Sequence, residues 1–206
     1  SQLTQNKPYN NVLVEITKIL SKSKYKFEYI DLGGGMGIKY VKNNKKLNYY
    51  KLSKDIYKFS KKNNCKIIFE PGRSIIANAG VLLSKIIYIK ENPKKNFVIL
   101  DAAMNDMIRP ALYGAKHKII PVVKNKKKSK KTYDFVGPIC ETTDKFLSTN
   151  NFQKLSEKDL LIICDTGAYG STLGSNYNVR PKPAEILIKG SKAIVIKKRQ
   201  KLKDLI

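Results

Sequence analysis

Tryptophan is absent from this 206-residue sequence, histidine occurs once, and cysteine and methionine occur three times each. The single histidine, His117, argues against histidine-based triads and reads as an ordinary strand residue. Cys65, Cys140 and Cys164 are odd in number and lack metal-ligand spacing, which argues against a disulfide framework or a zinc site. The expectation is therefore no metal and a reducing, cytoplasmic setting. No apolar run reaches the length of a membrane span, so no membrane contact is expected. Nothing resembles a signal peptide, and the chain opens on SQLTQ without a methionine, so the sequence reads as a piece of something longer.

Acidic residues are also few, 16 against 41 basic ones, for a formal charge of +25. Such a charge invites a nucleic-acid reading. The lysines, however, are spread through nearly every segment, together with abundant asparagine and isoleucine, as A/T-rich codons produce. Only KNKKKSKK, residues 124 to 131, is a dense basic run, and it lacks interleaved aromatics or a nucleic-acid module, so it reads as a solvated hairpin loop. No nucleic-acid partner is expected. Within this lysine habit only Arg73, Arg109, Arg180 and Arg199 are arginines, and a guanidinium where lysine is the default marks a position that needs a planar fork of donors.

The apolar pattern has two rhythms. Val12, Ile16, Ile19 and Leu20 mark a helical face, residues 27 to 32 a strand, Leu52, Ile56 and Phe59 a second helical face, and residues 66 to 70 a second strand. This is the βα alternation of a parallel sheet or barrel. Beyond Val81 the runs LLSKIIYIK, NFVILDA, HKIIPVV, LLIICD, AEILI and AIVIK are short, β-rich and separated by polar turns, which predicts an antiparallel β domain. The expected organisation is an α/β part over residues 1–82 and a β domain over 83–206, packed together.

Five stretches stand out chemically. In DLGGGMGIKY, Gly33, Gly34, Gly35 and Gly37 follow an apolar run and let backbone N–H groups converge on an oxyanion, although the spacing is neither a Walker loop nor a dinucleotide fingerprint. In IIFEPGRSIIANAG, Pro71-Gly72 stops a strand at Glu70 and places Arg73 at a strand-to-helix corner suited to an anion, with an intramolecular Glu70–Arg73 pair as the alternative. MNDMIRPALYG sets Arg109 and Tyr113 four apart. VGPICETTD follows a strand with Cys140, Glu141 and Asp144, and DTGAYGSTLGSNYN holds Tyr169 between Ala168 and Gly170. Each cluster taken alone is compatible with turn residues, a buried cysteine or a core tyrosine.

Taken in order, GGGMGI, EPGRSIIANAG, MNDMIRPALY, GPICETTD and GAYGSTLGSNYNVRPKPAE closely resemble the fold-type III pyridoxal-phosphate decarboxylases, in the branch that acts on diaminopimelate. The resemblance covers essentially the whole chain. It implies the C-terminal part of a β/α (TIM-like) barrel holding pyridoxal 5'-phosphate, then an antiparallel β-barrel or sandwich domain, in a homodimer with shared active sites. It implies that Ser1, Gly34, Gly35, Glu70, Pro71, Gly72, Arg73 and Tyr169 contact the cofactor, with Glu70 facing the pyridine nitrogen. It implies that Arg73, Arg109, Tyr113, Glu141 and Tyr169 hold meso-diaminopimelate, Glu141 at the distal ammonium, and that Cys140 is the acid that reprotonates the α-carbon. The expected reaction gives L-lysine and CO2.

Two departures qualify that expectation. Thr142 and Thr143 stand where the family more often has a serine and a small residue. The family's Schiff-base lysine and ring-stacking histidine lie ahead of a Gly-Ser-Gln segment whose tail Ser1-Gln2 resembles, so both would precede residue 1, and the fragment alone is expected to be inactive. A related ornithine- or arginine-type decarboxylase, or a non-catalytic regulatory relative, is the alternative.

Overall fold

The computed structural model describes residues 2–40 and 46–206. The chain divides into two compact units, residues 1–79 and 80–206, and each stands on its own core.

In the first unit, β1 (Tyr29–Asp31) and β2 (Lys66–Ile68) pair in parallel, with Ile30 opposite Ile67. The helices α1 (Lys7–Lys22) and α2 (Tyr49–Asn63) supply the apolar cover. Pro8 in the first turn of α1 costs no hydrogen bond there and pre-sets the helical φ. Asn48 caps α2 by accepting from the Lys51 N–H at 2.9 Å, and Asn64 closes it in the left-handed conformation at φ +47°. One cluster gathers Tyr9, Met36, Leu47 and Leu52, and another gathers Leu13, Phe59 and Cys65 with Ile16, Leu20, Ile30 and Ile67 around them. The buried stripe of α1 is thus Tyr9, Leu13, Ile16 and Leu20. Val12 and Ile19, expected on that face, are 44% and 63% exposed, because the apolar residues of α1 outnumber the positions one stripe can bury.

The second unit is built on a six-stranded sheet in the order β5-β8-β3-β4-β6-β7. Its strands are β3 (Leu82–Lys90), β4 (Lys95–Leu100), β5 (Ile119–Pro121), β6 (Thr132–Val136), β7 (Lys145–Thr149) and β8 (Leu160–Ile163). A hairpin of β9 (Glu185–Lys189) and β10 (Lys192–Lys197) follows. The sheet is mixed rather than antiparallel: β4 and β6 run parallel, Val98 opposite Phe135, because residues 101 to 131 cross over between them. Ile86, Val98, Leu100, Phe135, Leu161 and Ile163 are fully buried at its centre, and Phe135 meets Phe152 edge to face at 5.1 Å. The basic run 124–131 is a loop laid against residues 152–154, with Ser129 N–H to Phe152 O and Lys154 N–H to Lys127 O both at 2.8 Å. Most of its lysines remain exposed.

Among the described residues no helix is long and apolar enough to cross a membrane.

Candidate functional site

The glycine-rich turn after β1 and the Glu-Pro-Gly-Arg turn after β2 are joined by the ladder that continues past both strands. Leu32 N–H donates to Ile68 O at 3.0 Å and Glu70 N–H donates to Gly33 O at 2.9 Å. Gly33 and Gly35 hold φ of +66° and +83°, open to glycine at no steric cost. Gly34 is required by proximity, since a Cβ there would lie 2.3 Å from the Glu70 carbonyl oxygen. Tyr9, buried under the turn, donates its hydroxyl to Gly34 O at 3.0 Å, and burial pushes its phenol above the ordinary value, so it stays a donor. The result is a fixed tip with the Glu70 side chain exposed beside it.

Beyond Pro71, the short helix α3 (Gly72–Ile76) begins. The Gly72 N–H closes back on Glu70 O at 2.9 Å, while a Cβ on Gly72 would meet open space. Arg73, half-buried, donates through Nη1 to the hydroxyl of buried Tyr40 at 2.8 Å, with its Cζ 5.9 Å from that ring. Nothing in GIKY distinguishes Tyr40 as a site candidate until the fold brings it to Arg73. Ser1 lies outside the described residues.

In the second unit, Arg109 opens α4 (Arg109–Tyr113) and is 5% exposed, whereas Tyr113, one turn on, is 65% exposed. Their spacing does not give them equal burial. The Arg109 guanidinium lies 5.6 Å from the Tyr169 ring, and its Nε donates to His117 Nε2 at 3.4 Å. Tyr169 is held at φ +59°, a costly conformation for a residue with a Cβ, in a loop whose Thr166 N–H is tied to Gly80 O at 2.9 Å.

The Cys140 loop is organised by a carboxylate. Asp144, 2% exposed, accepts from Met104 N–H at 2.7 Å and from Ile139 N–H at 2.8 Å. Burial pushes its carboxyl above the usual range, and the two N–H donors oppose that. Gly137 abuts it so closely that a Cβ would sit 2.2 Å from Oδ2. Cys140 and Glu141 project from this clamped turn and are exposed. Tyr177 donates to Glu141 Oε1 at 2.6 Å, and that bond and the carboxylate's charge push the Tyr177 phenol upward. The segment bearing Tyr177 is secured by Arg180, which donates to Asn105 Oδ1 at 3.1 Å and to Asp101 O at 2.6 Å. Neither Tyr177 nor Arg180 is a site candidate on sequence grounds, although Arg180 carries the same signal as Arg73 and Arg109, an arginine in a lysine-rich chain.

The first unit thus carries a glycine-lined tip beside an exposed carboxylate, and the second carries a buried guanidinium and a displayed Cys-Glu pair. Residues 11–167 match the family model described as "pyridoxal-dependent decarboxylase, C-terminal sheet domain", and the chain belongs to that family. It is 44% identical over its whole length to a diaminopimelate decarboxylase of Zymomonas mobilis, covering 49% of that protein. It superposes with TM-score 0.82 on 48% of a diaminopimelate decarboxylase from Helicobacter pylori complexed with L-lysine, at 38% identity over 95% of this chain. With the M. jannaschii diaminopimelate decarboxylase in complex with L-lysine the TM-score is 0.90 at 34% identity, over all of this chain and 49% of the other. The chain thus spans about half the length of the curated relatives it matches.

Proposed function

We propose that this chain is the C-terminal portion of a diaminopimelate decarboxylase, converting meso-diaminopimelate to L-lysine and CO2, and that its first unit is the end of a β/α barrel. The observation that carries the reading is the tip after β1 and β2, where the glycine nest and Glu70 are hydrogen-bonded to each other. The cradle fits pyridoxal phosphate because the space a side chain at Gly72 would take is open and a carboxylate stands at the same tip. Gly34, Gly35, Gly72 and Arg73 would hold the phosphate beside Ser1 and Pro71, and Glu70 would keep the pyridine nitrogen protonated. Bound there, the cofactor supplies a ring that accepts the electron pair left when the carboxylate departs as CO2.

Arg109, with Tyr113 and Tyr169, grips the carboxylate that the substrate keeps. Glu141 takes the ammonium beside that carboxylate, replacing its bond from Tyr177. The Cys140 thiol delivers a proton to the carbon that lost CO2 and is restored from solvent, to which it is exposed. The assembly is a homodimer in which Cys140 and Glu141 serve the site of a second copy.

The test is CO2 release from meso-diaminopimelate by the full-length protein. Glu141→Ala should lower kcat/KM by about ten- to a thousandfold with the cofactor's absorbance retained, the scale of a lost charged hydrogen bond. Unchanged kinetics would remove Glu141 from the site, and no CO2 release by the unmodified protein would overturn the reading.

A further inference from the structure

The chain's one histidine has no part in the chemistry of cofactor or substrate, yet it is 1% exposed and has a polar neighbour at both ring nitrogens. Its Nδ1 lies 2.9 Å from the Cys164 carbonyl oxygen. A carbonyl can only accept, so Nδ1 carries the ring proton and Nε2 presents a lone pair. That lone pair faces the Nε–H of Arg109 at 3.4 Å. We propose that His117 is a positioning residue for substrate recognition: a neutral imidazole, locked in its Nδ1–H tautomer by Cys164 at the end of β8, that takes the Nε edge of Arg109 and so turns the Nη1/Nη2 edge to the retained carboxylate.

Three features support this assignment. Arg109 is nearly as buried as His117, and a buried guanidinium needs acceptors of defined direction rather than solvent. The Tyr169 ring, 5.6 Å from Cζ, confines the guanidinium from another side, so together the imidazole and the ring fix its plane. The anchor of the imidazole is backbone next to the sheet, since Cys164 N–H itself donates to Lys118 O at 2.9 Å, which makes the support rigid. A guanidinium free to turn between side-on and end-on engagement would lose affinity for a carboxylate whose position the rest of the site fixes.

The inference rests on the proposed role of Arg109, and the experiment separates the two. Binding of L-lysine, which keeps the carboxylate in question, is measured by calorimetry on the full-length, cofactor-loaded protein for wild type, Arg109→Lys, His117→Gln and His117→Asn, beside each variant's Tm. Glutamine puts an acceptor oxygen at the place of Nε2. Asparagine can satisfy Cys164 O from the place of Nδ1 but cannot reach Arg109. The expected result is Kd raised roughly tenfold or more for His117→Asn and within about threefold of wild type for His117→Gln, whatever the order of their Tm values. Imidazole nitrogen resonances of labelled His117 in the wild type should report a proton on Nδ1. Equal Kd for the two variants, Kd that follows Tm, or a proton on Nε2 would overturn the inference. Wild-type affinity in Arg109→Lys would instead overturn the role of Arg109.

Discussion

At the scale of single residues, the molecule repeatedly holds one side chain by burying a polar partner for it. Asp134 is the clearest stabilising case. It is 2% exposed and accepts from Lys95 at 2.7 Å, from Lys145 at 3.1 Å and from the Ser148 hydroxyl. Burial alone would push its carboxyl up, but these three donors outweigh burial and bring it below the ordinary 3.8. A carboxyl depressed on folding adds stability above its unfolded pKa and loses it as pH falls through the lower folded value. Asp134→Asn should therefore cost about 2 to 3 kcal/mol near neutral pH, the scale of hydrogen bonds to a charged group. The difference from wild type in denaturant unfolding should shrink as pH drops below 3.8 and continue shrinking. A gap independent of pH would show that the lysines contribute no charge pairing there.

At the scale of elements, turns rather than strands decide where the candidate site residues stand. The turn between β6 and β7 runs Gly137 N–H to Asp144 O at 2.9 Å, Glu141 N–H to Ile139 O at 2.8 Å, and Asp144 back onto Met104 and Ile139. It leaves Cys140 and Glu141 projecting outward. Gly137→Ala would force a methyl group into the space of the Asp144 carboxylate, so the turn must shift. The expected cost is about 1 to 3 kcal/mol of stability, typical of overpacking, together with a changed rate of alkylation at Cys140 as its surroundings move. A Gly137→Ala protein with wild-type Tm and wild-type thiol reactivity would show that the clamp does not govern the cysteine. The strand KFLST of β7 does not read as an apolar run. Its one buried position is Phe146, with Leu147 half-buried against the core, and the exposed Ser148 bonds Asp134 instead of filling the core.

At the scale of the whole chain, charge is the dominant number and the weakest guide. The +25 is distributed over both units, and its densest run is folded onto residues 152–154 as a surface loop. If the lysines reflect composition, binding to duplex DNA should be weak, indifferent to sequence, and lost between about 50 and 200 mM salt. Fluorescence anisotropy with two unrelated duplexes across that range checks it, and salt-resistant, sequence-selective binding would contradict it. Because the chain spans about half the length of its relatives, the proposed activity and ligand binding are to be measured on the full-length protein.

Along the chain, the βα alternation of the first unit, six of the strands that follow, and the motifs by which the family is recognised are all legible. Local patterns suffice for these, because strand periodicity, proline stops and glycine turns act within a few residues. Only folding in three dimensions sets the parallel pairing of β4 with β6, which joins residues separated by a long crossover. Folding also turns the histidine that reads as an ordinary strand residue into the partner of Arg109, and brings Tyr40 to Arg73 and Tyr177 to Glu141. Those pairs lie 8, 33 and 36 residues apart. A pattern read along the chain records what a residue is beside in sequence, whereas the hydrogen bonds of a buried or strained side chain depend on what the fold places across from it.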